Sequence, residues 1–153
     1  MKIWVDADAL PRELRDIILR AAQRLKIDAL FVANKNLDLG RGSHATLVRV
    51  GKGADVADSH IVRTSEPLDL CVTADIPLAA ALVAKGLTVL DPRGELYSET
   101  NIGERLATRD LMAGLREAGL QTEGPRPFDA KAKQRFAARL DSLLCRLVRA
   151  PRA

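Results

Sequence analysis

Asp6 follows the apolar run Ile3-Trp4-Val5 directly, Asp8 stands two residues further on, and Asp75 closes Val72-Thr73-Ala74 in the same manner. Asp55 and Asp58 are spaced i, i+3 in Gly53-Ala54-Asp55-Val56-Ala57-Asp58, which sets both on one face of a helix near its positive end. Some of these acids have plainer roles when taken singly: Asp8 as a helix cap, Asp55 as a first-turn acid, Asp91 before Pro92 as the start of a turn. Asp6 and Asp75 resist that reading, because each puts a charge at the end of an apolar strand. Two carboxylates ~4 Å apart repel by about 4 kcal/mol at an effective dielectric of ~20, so several converge only around a cation or with raised pKa values. Mg²⁺ or Mn²⁺ suits such all-oxygen ligands, and Mg²⁺ keeps several waters while using one or two carboxylates plus phosphate oxygens. A pair of such ions ~4 Å apart activates water and stabilises the leaving oxygen in phosphodiester hydrolysis.

Other catalytic sets find little support. His44 and His60 lack partners at telling spacing, and Gly40-Arg41-Gly42-Ser43 and Gly51-Lys52-Gly53 are too short for a phosphate-binding loop. Ser43 and Lys52 are loop residues, with a phosphate contact as the sharper alternative for Lys52. Cys71 and Cys145 sit far apart among apolar neighbours and read as small core hydrophobes. With only Trp4, Phe31, Tyr97, Phe128 and Phe136 as aromatics, a base-stacking sheet of the common RNA-binding kind is excluded.

The elements that must position the acids follow from periodicity. Residues 2–5, 29–33, 46–50, 68–72 and 87–90 are short, rich in β-branched residues and closed by polar residues or Gly, which predicts buried strands. Residues 11–25 predict a helix, with Pro11 early and Leu14, Ile17, Ile18, Ala21, Ala22 and Leu25 on one face. Further helices are expected over 54–63, 76–85 before Gly86, about 103–118 before Gly119, and about 129–149. The alternation implies an α/β fold: a three-layer α/β/α arrangement around a mainly parallel sheet. In such a sheet, ligands bind beyond the carboxyl ends of the strands. Those ends carry Asp6, Asn34, Asp75 and Asp91.

Composition sets the frame. The 153 residues are 47% hydrophobic and 29% charged, enough for one globular domain spanning 1–153 without disulfides or a structural metal. The longest apolar run ends at Lys85, short of a membrane span, and Asp6 and Asp8 occupy the place of a signal peptide's apolar stretch, so a cytoplasmic protein is expected. Residues 1–91 hold 12 basic and 12 acidic side chains, whereas 92–153 hold 12 and 8 and carry the whole net charge of +4. The helix over about 129–149 is basic and amphipathic, with Phe136, Leu140, Leu143, Leu144 and Leu147 on one stripe and Arg135, Arg139, Arg146 and Arg149 on another. That second stripe is either a solvated face or a surface that tracks phosphates.

At these residues the chain resembles the YaiI/YqxD family of uncharacterised bacterial proteins, which is assigned to the PIN-like nuclease fold group. The likeness covers nearly the whole chain, through Ile3-Trp4-Val5-Asp6-Ala7-Asp8-Ala9, Val32-Ala33-Asn34, Gly53-Ala54-Asp55-Val56-Ala57-Asp58 and Thr73-Ala74-Asp75-Ile76-Pro77-Leu78-Ala79. It continues through Pro92-Arg93-Gly94-Glu95, Asn101-Ile102, Arg109-Asp110 and Gly124-Pro125-Arg126-Pro127-Phe128. The resemblance implies a PIN-like domain with an acidic cluster that binds Mg²⁺ or Mn²⁺ and cuts RNA. Asp6 would then be the first-strand ligand, Asp55 or Asp58 the helical acid, Asp75 the acid after the fourth strand, and Asp8 an auxiliary group. Family members often carry Cys where Leu10 stands and Gln where Ala74 stands, so no thiol role carries over.

The leading expectation is a metal-dependent phosphodiesterase, ribonuclease-like, with Asp6, Asp55, Asp58 and Asp75 at the reaction. Asn34, Lys52, Arg93, Arg109, Arg135 and Arg139 would contact nucleic acid, with affinity that falls steeply with salt. The alternatives are a non-catalytic RNA-binding or regulatory module that keeps a metal site, and an aspartyl phosphotransferase using Asp6. The latter usually has Thr or Val where Leu10 stands.

Overall fold

Ile3, Trp4 and Val5 are all buried, which a strand achieves only with a packed layer on each of its faces. Successive side chains point to opposite sides, so Ile3 and Val5 enter one core while Trp4 enters the other. The computed structural model describes residues 1–8, 10–40, 42, 44–53, 55–120 and 128–149. In chain order the elements are β1 (Ile3–Asp6), α1 (Arg12–Leu25), β2 (Ala29–Ala33), β3 (Ala45–Arg49), α2 (Val56–Thr64), β4 (Leu70–Val72), α3 (Ile76–Lys85), β5 (Thr88–Leu90), β6 (Leu96–Tyr97), α4 (Ile102–Glu117) and α5 (Ala130–Arg149).

Among the described residues the strands form one sheet in the order β3-β2-β1-β4-β5-β6, parallel except for the antiparallel pair β5–β6. Leu14 and Ile18 of α1 and Phe136, Leu140 and Leu144 of α5 cover the face bearing Ile3, Val5, Phe31 and Val72. Ile61 of α2 and Leu78, Ala79 and Leu82 of α3 cover the face bearing Trp4, Val32, Cys71 and Val89. The expected three layers and mainly parallel sheet are therefore present. The apolar stripe of α5 packs inward, and Arg135, Arg139, Arg146 and Arg149 face water.

Three local differences have physical causes. The fourth strand begins at Leu70 rather than at residue 68, because Leu68 has a left-handed φ of 76° that no ladder accepts. Asp69 is then buried, where its carboxylate accepts from the Lys2 and Glu66 backbone N–H groups and from Trp4 Nε1. Helix α2 begins at Val56, leaving Asp55 at its cap without a side-chain capping bond. Strand β6 has only two residues, too few to show alternation in a sequence. The expected helix start at Ala54, the loop residues Arg41 and Ser43, and the segment Gly124-Pro125-Arg126-Pro127 lie outside the described residues.

Candidate functional site

The strand order reverses direction between β1 and β4, and at such a switch point the loops leaving two neighbouring strands diverge and open a crevice. Asp6 ends β1 and Asp75 follows β4, so both acids stand at this crevice. A pocket of ≈ 390 Å³ occupies it, lined by Asp6, Asp8, Asn34, Asp58 and Asp75 together with Val50, Gly51, Gly53 and Ala57.

Each acid is positioned by a short local device. Thr73, buried, donates its hydroxyl to Asp6 Oδ2 at 2.9 Å and accepts the Asp75 backbone N–H at 3.0 Å, tying the ends of β1 and β4 together. Asp75 caps α3 by accepting from Leu78 N at 2.9 Å, with Pro77 in the first helical turn. Asp8 accepts the Asn34 backbone N–H through both carboxylate oxygens, at 3.2 and 3.0 Å, linking the β1–α1 loop to the end of β2. Asp58 lies in the first turn of α2 and points into the same pocket.

The electrostatics follow from this crowding. Burial pushes the Asp6 carboxyl above its ordinary value, Thr73 opposes the rise, and Asp75 and Asp8 add to it. Asp58 is pushed up to about 7, first by burial and then by the charges of Asp75 and Asp6, a hydrogen bond with Asp75 and the charge of Asp55. The crowding of carboxylates thus favours the protonated form of Asp58. Cys71 is fully buried, and its thiol is driven well up by burial and by Asp6 and Asp58, which leaves an inert core side chain.

The remaining predicted residues divide by position. Asp55 is exposed and lines a neighbouring groove with Asp58, Val62, Arg63 and Pro77, acting on the pocket only through its charge. Lys52 is exposed between the two pocket glycines but is not part of the lining. Arg93 lies at the β5–β6 turn, where its carbonyl accepts from Arg135 Nε at 3.4 Å. Arg139 is exposed further along α5. Arg109 is exposed on α4 and paired with Asp110 at 3.1 Å. Asp91 is buried and accepts from the Arg93 and Glu95 backbone N–H groups, the turn role that its place before Pro92 announces. Sequence reasoning does not single out Thr73, although a hydroxyl two residues before a strand-end acid is the local signal for such a turn.

The donors around the pocket are all oxygen, and the rise of the Asp58 carboxyl reflects the crowding of negative charge there. Both observations fit a hard divalent cation. Among the described residues, however, no three Asp, Glu, His or Cys side chains are gathered closely enough to encircle one ion. The carboxylates rim the pocket, an arrangement suited to an ion that keeps much of its water.

Fold and site together define a three-layer α/β protein with an acidic pocket at the switch point of its sheet. The chain belongs to the YaiI/YqxD family: the family described as "Uncharacterized BCR, YaiI/YqxD family" matches residues 4–146. It is 56% identical over 149 residues to a UPF0178 protein of Myxococcus xanthus, covering 97% of each chain. It is 55% identical over 153 residues to a UPF0178 protein of Geobacter metallireducens, covering 97% of this chain and 96% of that one. No solved structure matches it, and among the described residues no helix is long and apolar enough to cross a membrane.

Proposed function

We propose that the protein is a divalent-metal-dependent phosphodiesterase that acts on single-stranded RNA at the acidic pocket, in keeping with the PIN-like resemblance. The observation that carries this reading is the meeting of Asp6 and Asp8 with Asp58 and Asp75, from three separate segments of the chain, at one switch-point pocket. Asp6, Asp58 and Asp75 would hold Mg²⁺ or Mn²⁺ in part through the water the ion retains, since the three do not close around one point, with Asp8 as an auxiliary group and Asp55 at the rim. When bound, the ion supplies positive charge beside a phosphodiester and polarises water. Thr73 keeps the Asp6 carboxylate oriented, and Asp58, raised by its neighbours, can hold a proton at the pocket wall until the ion binds. Arg93, Arg135 and Arg139 favour the approach of a polyanion from the α5 side, with Asn34 and Lys52 on the opposite rim.

Incubation of a labelled single-stranded RNA with Mn²⁺ tests the proposal. Cleavage by the parent is expected, with a loss of at least about 100-fold in Asp75→Asn, the scale typical of removing one group that stabilises transition-state charge. Undiminished cleavage by that variant would reject the site. A second reading, an RNA-binding module without turnover, is favoured by the absence of a tight three-carboxylate group among the described residues. Salt-sensitive binding without any cleavage would establish it in place of the first.

A further inference from the structure

We infer that a second cavity at the same sheet edge, beside the β5–β6 turn, is a subsite for the base of a single-stranded RNA nucleotide. The inference rests on the nucleic-acid reading above. The cavity measures ≈ 460 Å³, within the range of small-ligand pockets. Ala74 and Ile76, the two neighbours of Asp75, form part of its wall, so it adjoins the acidic pocket on the side towards β5. Pro11 and Phe128 add apolar surface, and Arg93 and Arg105 add charge.

Arg105 is the feature that selects the ligand. Its guanidinium lies over the Tyr97 ring at 4.2 Å, with its edge 3.3 Å from Asp91 and 3.5 Å from Glu95. Asp91 is itself fixed by the turn's backbone N–H groups. The guanidinium is therefore held over a ring and, through Nη2, beside two carboxylates, while the side chain stays 27% exposed. Two carboxylates already answer its charge at Nη2, which weakens its draw on a phosphate. A nucleobase needs a planar face rather than a free charge, because bases stack on guanidinium planes as they do on aromatic rings. The apolar walls shelter such a base from water, and Arg93, on the same lining, brings positive charge for the adjoining phosphate. A strand with one phosphate at the acidic pocket would thus place a neighbouring base against Arg105.

The test is fluorescence anisotropy in EDTA, which prevents metal-dependent cleavage, with a short labelled oligoadenylate and an abasic oligomer of equal length and charge. The parent is expected to bind the base-bearing oligomer roughly tenfold more tightly, the scale of one stacked base. Arg105→Lys keeps the charge that answers Asp91 and Glu95 but discards the plane. Phe128→Ala, at the cavity wall, gives an independent check should Arg105→Lys fold poorly. Loss of the base preference in the folded variants supports the subsite. Equal binding of both oligomers by the parent, an unchanged preference in the folded variants, or no binding of either oligomer overturns it. A base preference without Mn²⁺-dependent cleavage removes the phosphodiesterase reading and leaves the subsite standing, whereas cleavage without a base preference does the reverse.

Discussion

Thr73 serves two acids with one hydroxyl, donating to Asp6 and accepting from the Asp75 backbone. Thr73→Val keeps the shape and removes both bonds inside a buried site, so stability should fall by about 1–2 kcal/mol, read as a lower urea midpoint. The Asp6 carboxyl should also titrate at higher pH, because the hydroxyl is the group that opposes its rise. Asp58 offers a pH test. Its carboxyl titrates near 7 in the folded state against an ordinary 3.8, so the fold favours its protonated form. That stabilisation is complete below the unfolded value and is lost as pH rises through about 7, opposite to the usual behaviour of an ion-paired Asp. Asp58→Asn should therefore flatten the decline in stability between about pH 4 and about pH 7, by roughly 1 kcal/mol once solvent screening of this half-buried group is allowed for. An unaltered pH profile in urea denaturation would contradict the raised Asp58 carboxyl.

At the scale of elements, the β5–β6 turn is seated directly on α5. Gly94 has φ +85°, and a Cβ there would stand 2.7 Å from the Arg135 carbonyl carbon and 2.8 Å from the Phe136 nitrogen. Gly94→Ala therefore combines backbone strain with a backbone clash, and should lower stability by about 2–3 kcal/mol. Gly114 on α4 has nothing within 4 Å, and Gly114→Ala should raise stability by roughly 0.5–1 kcal/mol through helix propensity alone. Thermal unfolding of the two variants side by side checks both signs. Their contrast reflects how the helices are held: α5 buries five side chains, whereas α4 buries none and leaves Leu111 61% exposed.

Across the whole molecule, charge is segregated. The carboxylates gather at the switch-point pocket while Arg135, Arg139, Arg146 and Arg149 form the outer face of α5. The link between α5 and the β5–β6 turn brings the first of these arginines towards the carboxyl edge. If α5 tracks a single-stranded backbone, Arg135→Gln with Arg139→Gln should weaken RNA binding and reduce the slope of log affinity against log salt by about 1.4, or ~0.7 for each phosphate that an arginine no longer neutralises. An unchanged slope would assign the stripe to solvation alone.

Periodicity, helix caps and the polar residues closing apolar runs are local properties, and they made the α/β alternation, the bounds of β2 and α3, the packed stripe of α5 and the core position of Cys71 legible in the sequence, whereas Cys145 is only half-buried. Family membership was legible too, through motifs spread along the chain. The tertiary structure decided what depends on residues distant in the chain. The exchange of neighbours at β1 sets Asp6 beside Asp75, and the start of α2 at Val56 turns Asp58 inward while leaving Asp55 at the rim. Thr73 acquires its position from Asp6 on another strand, and Arg105 from the β5–β6 segment against which α4 packs its start. No local pattern encodes these outcomes, because strand order and side-chain convergence are fixed by packing of the two cores on opposite faces of one sheet.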